Sequence, residues 1–252
     1  MTSMQVVAIA NQKGGVGKTT TAFTLSHGLA RAKKRVLVID NDAQGSLGNL
    51  FLQGAKPTAL TASLYQRRPD NPISVADRIA LYCGGDGLDA VAMGEQGAPA
   101  FSQVLKAIGE RGLFDMVLID CGPSLSTLSF AALMAAQHVL VPSQPTKLSL
   151  DGLGQLLARI RDLRVTGASQ ASMLGIVITM HARTVYHRDM EAALRKARPD
   201  VLDTVLFKRT AYEEAAALGK SLWDYEPNGQ ATMEAAQLTK EILKRLTNGG
   251  AK

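Results

Sequence analysis

The sequence predicts an α/β domain, a mostly parallel twisted sheet with helices on both faces. Three observations carry that expectation. Short runs rich in β-branched residues, such as Val6–Ala10, Arg35–Asp40, Asp115–Asp120 and His138–Pro142, alternate with longer segments of helical periodicity. The first run leads into a glycine-rich loop and then a helix, the context that a phosphate-binding loop requires. With 46% hydrophobic residues among 252, the chain has apolar material for one substantial core.

The loop is Asn11-Gln12-Lys13-Gly14-Gly15-Val16-Gly17-Lys18-Thr19-Thr20. Glycines let the backbone turn tightly and bring N–H groups close to phosphate oxygens. The following helix, over Lys18–Ala32, aims its positive end at the same anion. Lys18 is placed to reach β- and γ-phosphates, and the Thr19 hydroxyl to ligate Mg²⁺. Gln12 stands where the usual pattern has its first glycine, and a second lysine, Lys13, follows it.

The remaining elements follow in order. Lys33-Lys34-Arg35 closes the first helix with cations suited to a helix C-terminus. The strand Arg35–Asp40 ends in Asp40-Asn41-Asp42, two carboxylates at the carboxyl end of a strand beside the phosphate loop. A short helix is expected near Leu60–Arg67, a strand over Leu88–Met93, a loop over Gly94–Pro99 and a helix over Phe101–Arg111. Asp115–Asp120 is a strand ending in an acid, a form that holds Mg²⁺ in nucleotide-hydrolysing sites. Then come a helix over Ser126–Ala136, a strand over His138–Pro142, a helix over Asp151–Leu163 and a strand over Leu174–Thr179. A basic helix over Thr184–Lys196, a last strand over Val201–Phe207 and a final helix over Met233–Leu246 complete the chain. No repeat or break in composition divides it, so residues 1–252 read as one domain.

Composition excludes several classes. No apolar run reaches the roughly 20 residues of a membrane span. The N-terminus lacks the basic-then-apolar pattern of a signal peptide. Cys83 and Cys121 stand alone, which argues against a disulfide framework or a cysteine-built metal site and fits a reducing cytoplasm. The net charge of +6 is uneven, with ten basic and five acidic residues between Gln155 and Arg209. Such a region suits a polyanion, nucleic acid or an anionic membrane, and equally an ordinary solvated surface.

The K-G-G-x-G-K-[ST] form at Lys13–Thr19 resembles the deviant Walker A box of the ParA/MinD superfamily. Over Val6 to about Leu246 the chain is similar to the ParA/Soj-type partition ATPases. RVLVIDNDAQG resembles that family's LLVDxDPQG, with Ala43 for proline, and FDMVLIDCGPSLSTLSFAAL resembles DYVLIDCPPSLGLLTLNAL, with Gly122 for the first proline. The resemblance implies the P-loop NTPase fold, ATP and Mg²⁺ as cofactors, and a homodimer when ATP is bound. It implies non-specific DNA and a separate ParB-like or cargo-adaptor protein as partners, with a cytoplasmic, nucleoid-associated location. The larger members' N-terminal helix-turn-helix extension has no counterpart here.

By the same resemblance, Gly14, Gly15, Val16, Gly17, Lys18, Thr19 and Thr20 surround the phosphates. Lys13 crosses the dimer interface to the partner's nucleotide, supplying charge in trans as an arginine finger does. Asp42 orients the attacking water, Asp120 is the Walker B acid, and Asp40 supports the Mg²⁺ shell with Thr19. Arg183 matches a DNA-phosphate arginine, and Arg188, Arg195, Lys196, Arg198 and Lys208 extend that basic surface. Where the family has I-P-R-N, this chain has Leu206-Phe207-Lys208-Arg209, so Phe207 or Arg209 stacks on the purine in place of the missing proline and asparagine. A MinD-like membrane ATPase is the alternative. It requires an amphipathic C-terminal segment, and Leu246–Lys252 is too polar and short for one. A metabolic ligase of the same fold is a third reading, disfavoured by Lys13 and the D-x-D-A-Q-G run.

Overall fold

The computed structural model describes residues 4–94, 97–124 and 126–249. The C-terminal residues 250–252 of the polar tail lie outside them. In chain order the elements are β1 (Gln5–Ile9), α1 (Lys18–Arg31), β2 (Val36–Asn41), α2 (Ser46–Leu52), α3 (Thr61–Tyr65), β3 (Ile73–Ala76), β4 (Ile79–Tyr82) and α4 (Leu88–Ala92). They continue as α5 (Gly97–Glu110), β5 (Met116–Cys121), α6 (Thr127–Ala135), β6 (His138–Ser143), α7 (Lys147–Val165), β7 (Ser172–His181), α8 (Val185–Ala197), β8 (Val201–Phe207), α9 (Thr210–Ala217), α10 (Leu222–Tyr225) and α11 (Gln230–Gly249). The strands form one sheet in the order β3-β4-β2-β5-β1-β6-β7-β8. Every neighbouring pair is parallel except β3–β4.

Alternation along the strands explains why they read as continuous apolar runs. Leu37 and Ile39 of β2, with Val117 and Ile119 of β5, point to one face and pack under α3 to α7. Val36 and Val38, with Met116 and Leu118, point to the other face and pack under α1, α9 and α11. A parallel sheet covered on both sides buries both side-chain rows. The last helix joins this core, because Leu238 and Ile242 on α11 are fully buried. Its apolar stripe is therefore spent on packing. Among the described residues no helix is long and apolar enough to cross a membrane.

The structure corrects the sequence reading in four places. Leu88–Met93 is the helix α4, not a strand. Gly87 starts it in a left-handed conformation (φ 80°), and Leu88 and Ala92, one turn apart, face the core. The expected loop Gly94–Pro99 already contains the start of α5, with Pro99 in the first turn, where its missing N–H costs nothing. An antiparallel pair, β3–β4, was not legible. It turns at Asp77-Arg78, with Arg78 left-handed at φ 61°. The short helices α2, α9 and α10 were missed as well, being too brief to show a full apolar period.

Helix α1 crosses α11 at close range through Gly28. A Cβ built there would lie 2.0 Å from Thr239 Oγ1 and 3.1 Å from the Trp223 ring. Alanine normally favours a helix over glycine by about 1 kcal/mol. Overpacking a fitted contact costs about 1–3 kcal/mol. The overlap outweighs the propensity here, so Gly28→Ala lowers stability by about 1 kcal/mol. The measurement is a urea unfolding curve, with a lower midpoint expected at unchanged slope.

Candidate nucleotide site

The loop between β1 and α1 is tied down from three directions. Asn11 donates from Nδ2 to the Pro142 carbonyl (2.7 Å), and its Oδ1 accepts from the Lys13 N–H (3.0 Å). Thr179 on β7 donates to the Val16 carbonyl (2.9 Å), and Gln144 after β6 donates to the Gly15 carbonyl (3.2 Å). Gly15 (φ 69°) and Gly17 (φ 82°) take left-handed conformations that a side chain would disfavour. With its carbonyls occupied by these donors, the loop presents N–H groups to an anion at the N-terminus of α1.

Lys18 folds back under the loop. Its ammonium donates to the Lys13 carbonyl (3.0 Å), and the residue is 7% exposed. Burial lowers its pKa, opposed by the charge of Asp120. Lys13 takes another direction, with its ammonium 3.4 Å from Thr146 Oγ1 at the start of α7. The two lysines of the loop thus have separate surroundings.

The acids converge at the carboxyl ends of β2 and β5. Asp40 and Asp120 are direct neighbours in the parallel register, and both are buried. Asp40 is spent on backbone donors, accepting from Gly48 N–H (2.8 Å) and Asp42 N–H (3.3 Å). Burial still pushes its pKa up to about 6. Neither oxygen of Asp120 has a hydrogen-bond partner. Burial, and then the neighbouring Asp40, raise its pKa well above the ordinary value. The Thr19 hydroxyl and Lys18 ammonium pull in the opposite sense, without hydrogen bonds of normal geometry.

An unpartnered, buried carboxylate beside a hydroxyl is the donor set that suits a hard divalent cation. Mg²⁺ takes few protein ligands and keeps phosphate and water oxygens for the rest. The described residues hold no cluster of three or more metal-ligating His, Cys, Asp or Glu side chains. Thr19 and Asp120 are the side chains that would hold such a cation, with Asp40 behind them.

Asp42 lies beyond the strand end and accepts from the Gln44 N–H (3.0 Å). Gly122, after β5, backs onto it. A Cβ at Gly122 would stand 3.3 Å from the Asp42 carboxyl carbon.

A cleft runs from Gly17, Thr20 and Thr21 to Met180, Phe207, Lys208, Arg209, Tyr212 and Glu213. It joins the phosphate loop to the β8–α9 junction, so Phe207 and Arg209 line the same cleft as Gly17 and Thr20. Arg209 is gripped by Glu234 of α11, through Nε (2.8 Å) and Nη2 (2.7 Å). Sequence reading missed Glu234, Gln144 and Thr179, which touch the site from far along the chain.

The six basic residues divide. Arg188, Lys196 and Lys208 are exposed, and Arg183 lays its guanidinium 4.4 Å over the Phe207 ring. Arg195 pairs with Glu191 (2.8 Å) and donates to the Leu202 carbonyl (2.9 Å). Arg198 pairs with Asp200 (2.9 Å). These last two are structural ties in this fold.

Comparison with known proteins supplies the family. A model of the AAA domain matches residues 4–173. The chromosome-partitioning ATPase Soj of Thermus thermophilus is 34% identical over 243 residues, spanning 95% of this chain and 96% of its own. The chain belongs to the ParA/MinD family of partition ATPases. McdA of Cyanothece, solved as a variant in complex with ATP, superposes with a TM-score of 0.85 at 25% identity, over 97% of this chain and 98% of its own. Cobyrinic acid a,c-diamide synthase of Mycobacterium smegmatis, with an ATP analogue and magnesium bound, gives 0.81 at 25% identity over 98% and 97%. This ParA-type chain is thus a partitioning or positioning ATPase, and both structural neighbours were solved with ATP or an ATP analogue in the fold that it shares.

The acid pair makes stability depend on pH. A carboxyl group whose pKa is raised by folding stabilises fully below its unfolded value, near 4, and that contribution fades as pH rises through the folded value, about 6. Asp120 acts in the same sense. Without nucleotide and metal, the stability of wild type relative to Asp40→Asn therefore falls by about 1 kcal/mol between pH 5 and pH 8. Paired chemical-denaturation series of the two proteins across that range make the check. A flat difference contradicts the burial argument.

Proposed function

We propose that this ParA-type ATPase is a nucleotide switch for DNA binding, which positions a plasmid, a chromosome origin or a protein assembly on nucleoid DNA. ATP with Mg²⁺ bridges two subunits, the dimer holds duplex DNA without regard to sequence, and an adaptor protein triggers hydrolysis and release. In this reading Gly14 to Thr20 hold the phosphates, Thr19 and Asp120 hold Mg²⁺ backed by Asp40, and Asp42 orients the attacking water. Lys13 serves the nucleotide of the opposite subunit.

The observation that carries the reading is the place of Arg183. Its guanidinium rests on Phe207, and Phe207 lines the same cleft as Gly17 and Thr20. A residue of the basic surface therefore touches a wall of the nucleotide cleft. Arg188, Lys196 and Lys208 are further exposed cations in the same C-terminal half of the chain. Doubling such a surface by dimerisation doubles the phosphate contacts, which switches DNA affinity without any new contact within the subunit.

Two experiments test this. Lys13→Ala is expected to bind ATP nearly as wild type does, because Lys18 remains, while losing ATP-dependent dimerisation in size-exclusion light scattering. Survival of the dimer with full turnover removes the trans role. The second experiment measures DNA affinity with ATP at two salt concentrations. Wild type should follow a log–log slope of about −0.9 per phosphate contact. Arg183→Ala should weaken binding to all duplexes alike with ATP affinity retained. Affinity indifferent to salt and nucleotide would leave the basic face a solvated surface.

A further inference from the structure

We propose that Arg209, held in place by Glu234, reads the base of the bound nucleotide, and that the site in consequence takes guanine as well as adenine nucleoside triphosphates. This rests on the reading of Gly14–Thr20 as the phosphate site.

The cleft that leaves the phosphate loop at Gly17 and Thr20 ends on Leu206–Arg209, Tyr212 and Glu213. A nucleotide with its phosphates in the loop directs its base toward that end. The wall there is built around one carboxylate. Glu234, with its side chain 10% exposed, accepts from Arg209 Nε and Nη2 on Oε1, and from the Phe207 N–H (3.1 Å) and the Tyr212 hydroxyl (3.2 Å) on Oε2. A carboxylate with four donors fixes the guanidinium plane rather than leaving it to sample rotamers.

An arginine offers five N–H donors and no acceptor. Two of Arg209's go to Glu234, which leaves three. Guanine presents two acceptors side by side, O6 and N7, matching a parallel pair of N–H groups. Adenine presents N7 beside an amino donor, so one N–H of the fork meets another donor. Glu213, on the same cleft, is an acceptor that either base satisfies, adenine with its amino group or guanine with N1–H and its amino group. The Phe207 ring carries the Arg183 guanidinium 4.4 Å from its centre, so it backs the wall without selecting between purines. The named polar groups therefore carry no preference for adenine, and the fork leans toward guanine.

The test is equilibrium binding of Mg-ATP and Mg-GTP to wild type, Arg209→Asn and Arg209→Lys, each checked for an unchanged melting temperature. Wild type is expected to bind GTP within about tenfold of ATP. Arg209→Asn restores a donor and an acceptor together, and should move the ratio toward ATP by roughly tenfold or more. Arg209→Lys keeps the charge on Glu234 but loses the fork, so it should weaken GTP more than ATP. A wild type that prefers ATP by more than about a hundredfold, or a ratio identical in all three proteins, overturns the inference. If ATP binds and GTP does not, base reading alone fails. If neither binds, the phosphate site fails with it.

Discussion

Two carboxylates, Asp40 and Asp120, stand side by side at the ends of adjacent parallel strands, where little water screens them. Much of the surrounding structure answers that repulsion. Backbone N–H groups of Gly48 and Asp42 converge on Asp40 and hold it behind the strand end. Asp120 is left with its oxygens bare, a costly arrangement in a buried site. A divalent cation with its phosphates cancels that cost, so ligand binding and folding favour the same state. The nearby ammonium of Lys18 belongs to the same balance, held in the loop by the Lys13 carbonyl.

The fold divides its labour across the sheet. β1, β2 and β5 bring the phosphate loop and acids together on one side. β7 and β8, toward the other edge, carry Met180, Phe207 and Arg209 to the far end of the cleft, with Arg183 against Phe207. Two non-glycine residues at the end of β7, Met180 (φ 52°) and Arg183 (φ 57°), adopt left-handed backbone conformations. Such strain concentrates at sites where the backbone must aim a side chain. Here it aims Arg183 over Phe207.

What was legible in the sequence was what is local. The phosphate loop, its preceding strand, and the acids at the ends of β2 and β5 depend on neighbours within a few residues, so spacing alone exposes them. Leu88–Met93 misled because a short apolar run does not distinguish a buried strand from one turn of buried helix. Glu234 was invisible for another reason. It lies 25 residues from its partner Arg209, on a helix whose pattern only signals packing. Arg195 was hidden in the same way, since its tie to the Leu202 carbonyl needs the turn from α8 into β8, whereas the Arg198–Asp200 pair is two residues apart and a count of charges passed over it.

The close approach of Gly122 to Asp42 constrains the chain differently from the loop glycines. Gly15 and Gly17 need a left-handed backbone, whereas Gly122 is not among the positive-φ glycines. Its restriction is one of volume, with Asp42 atoms 3.3–3.4 Å from where a β-carbon would sit. Any residue can adopt that backbone, yet each side chain would nudge the carboxylate by some tenths of an ångström. On the role proposed for Asp42, drift at this position would therefore register in the rate of hydrolysis long before it registered in the integrity of the fold.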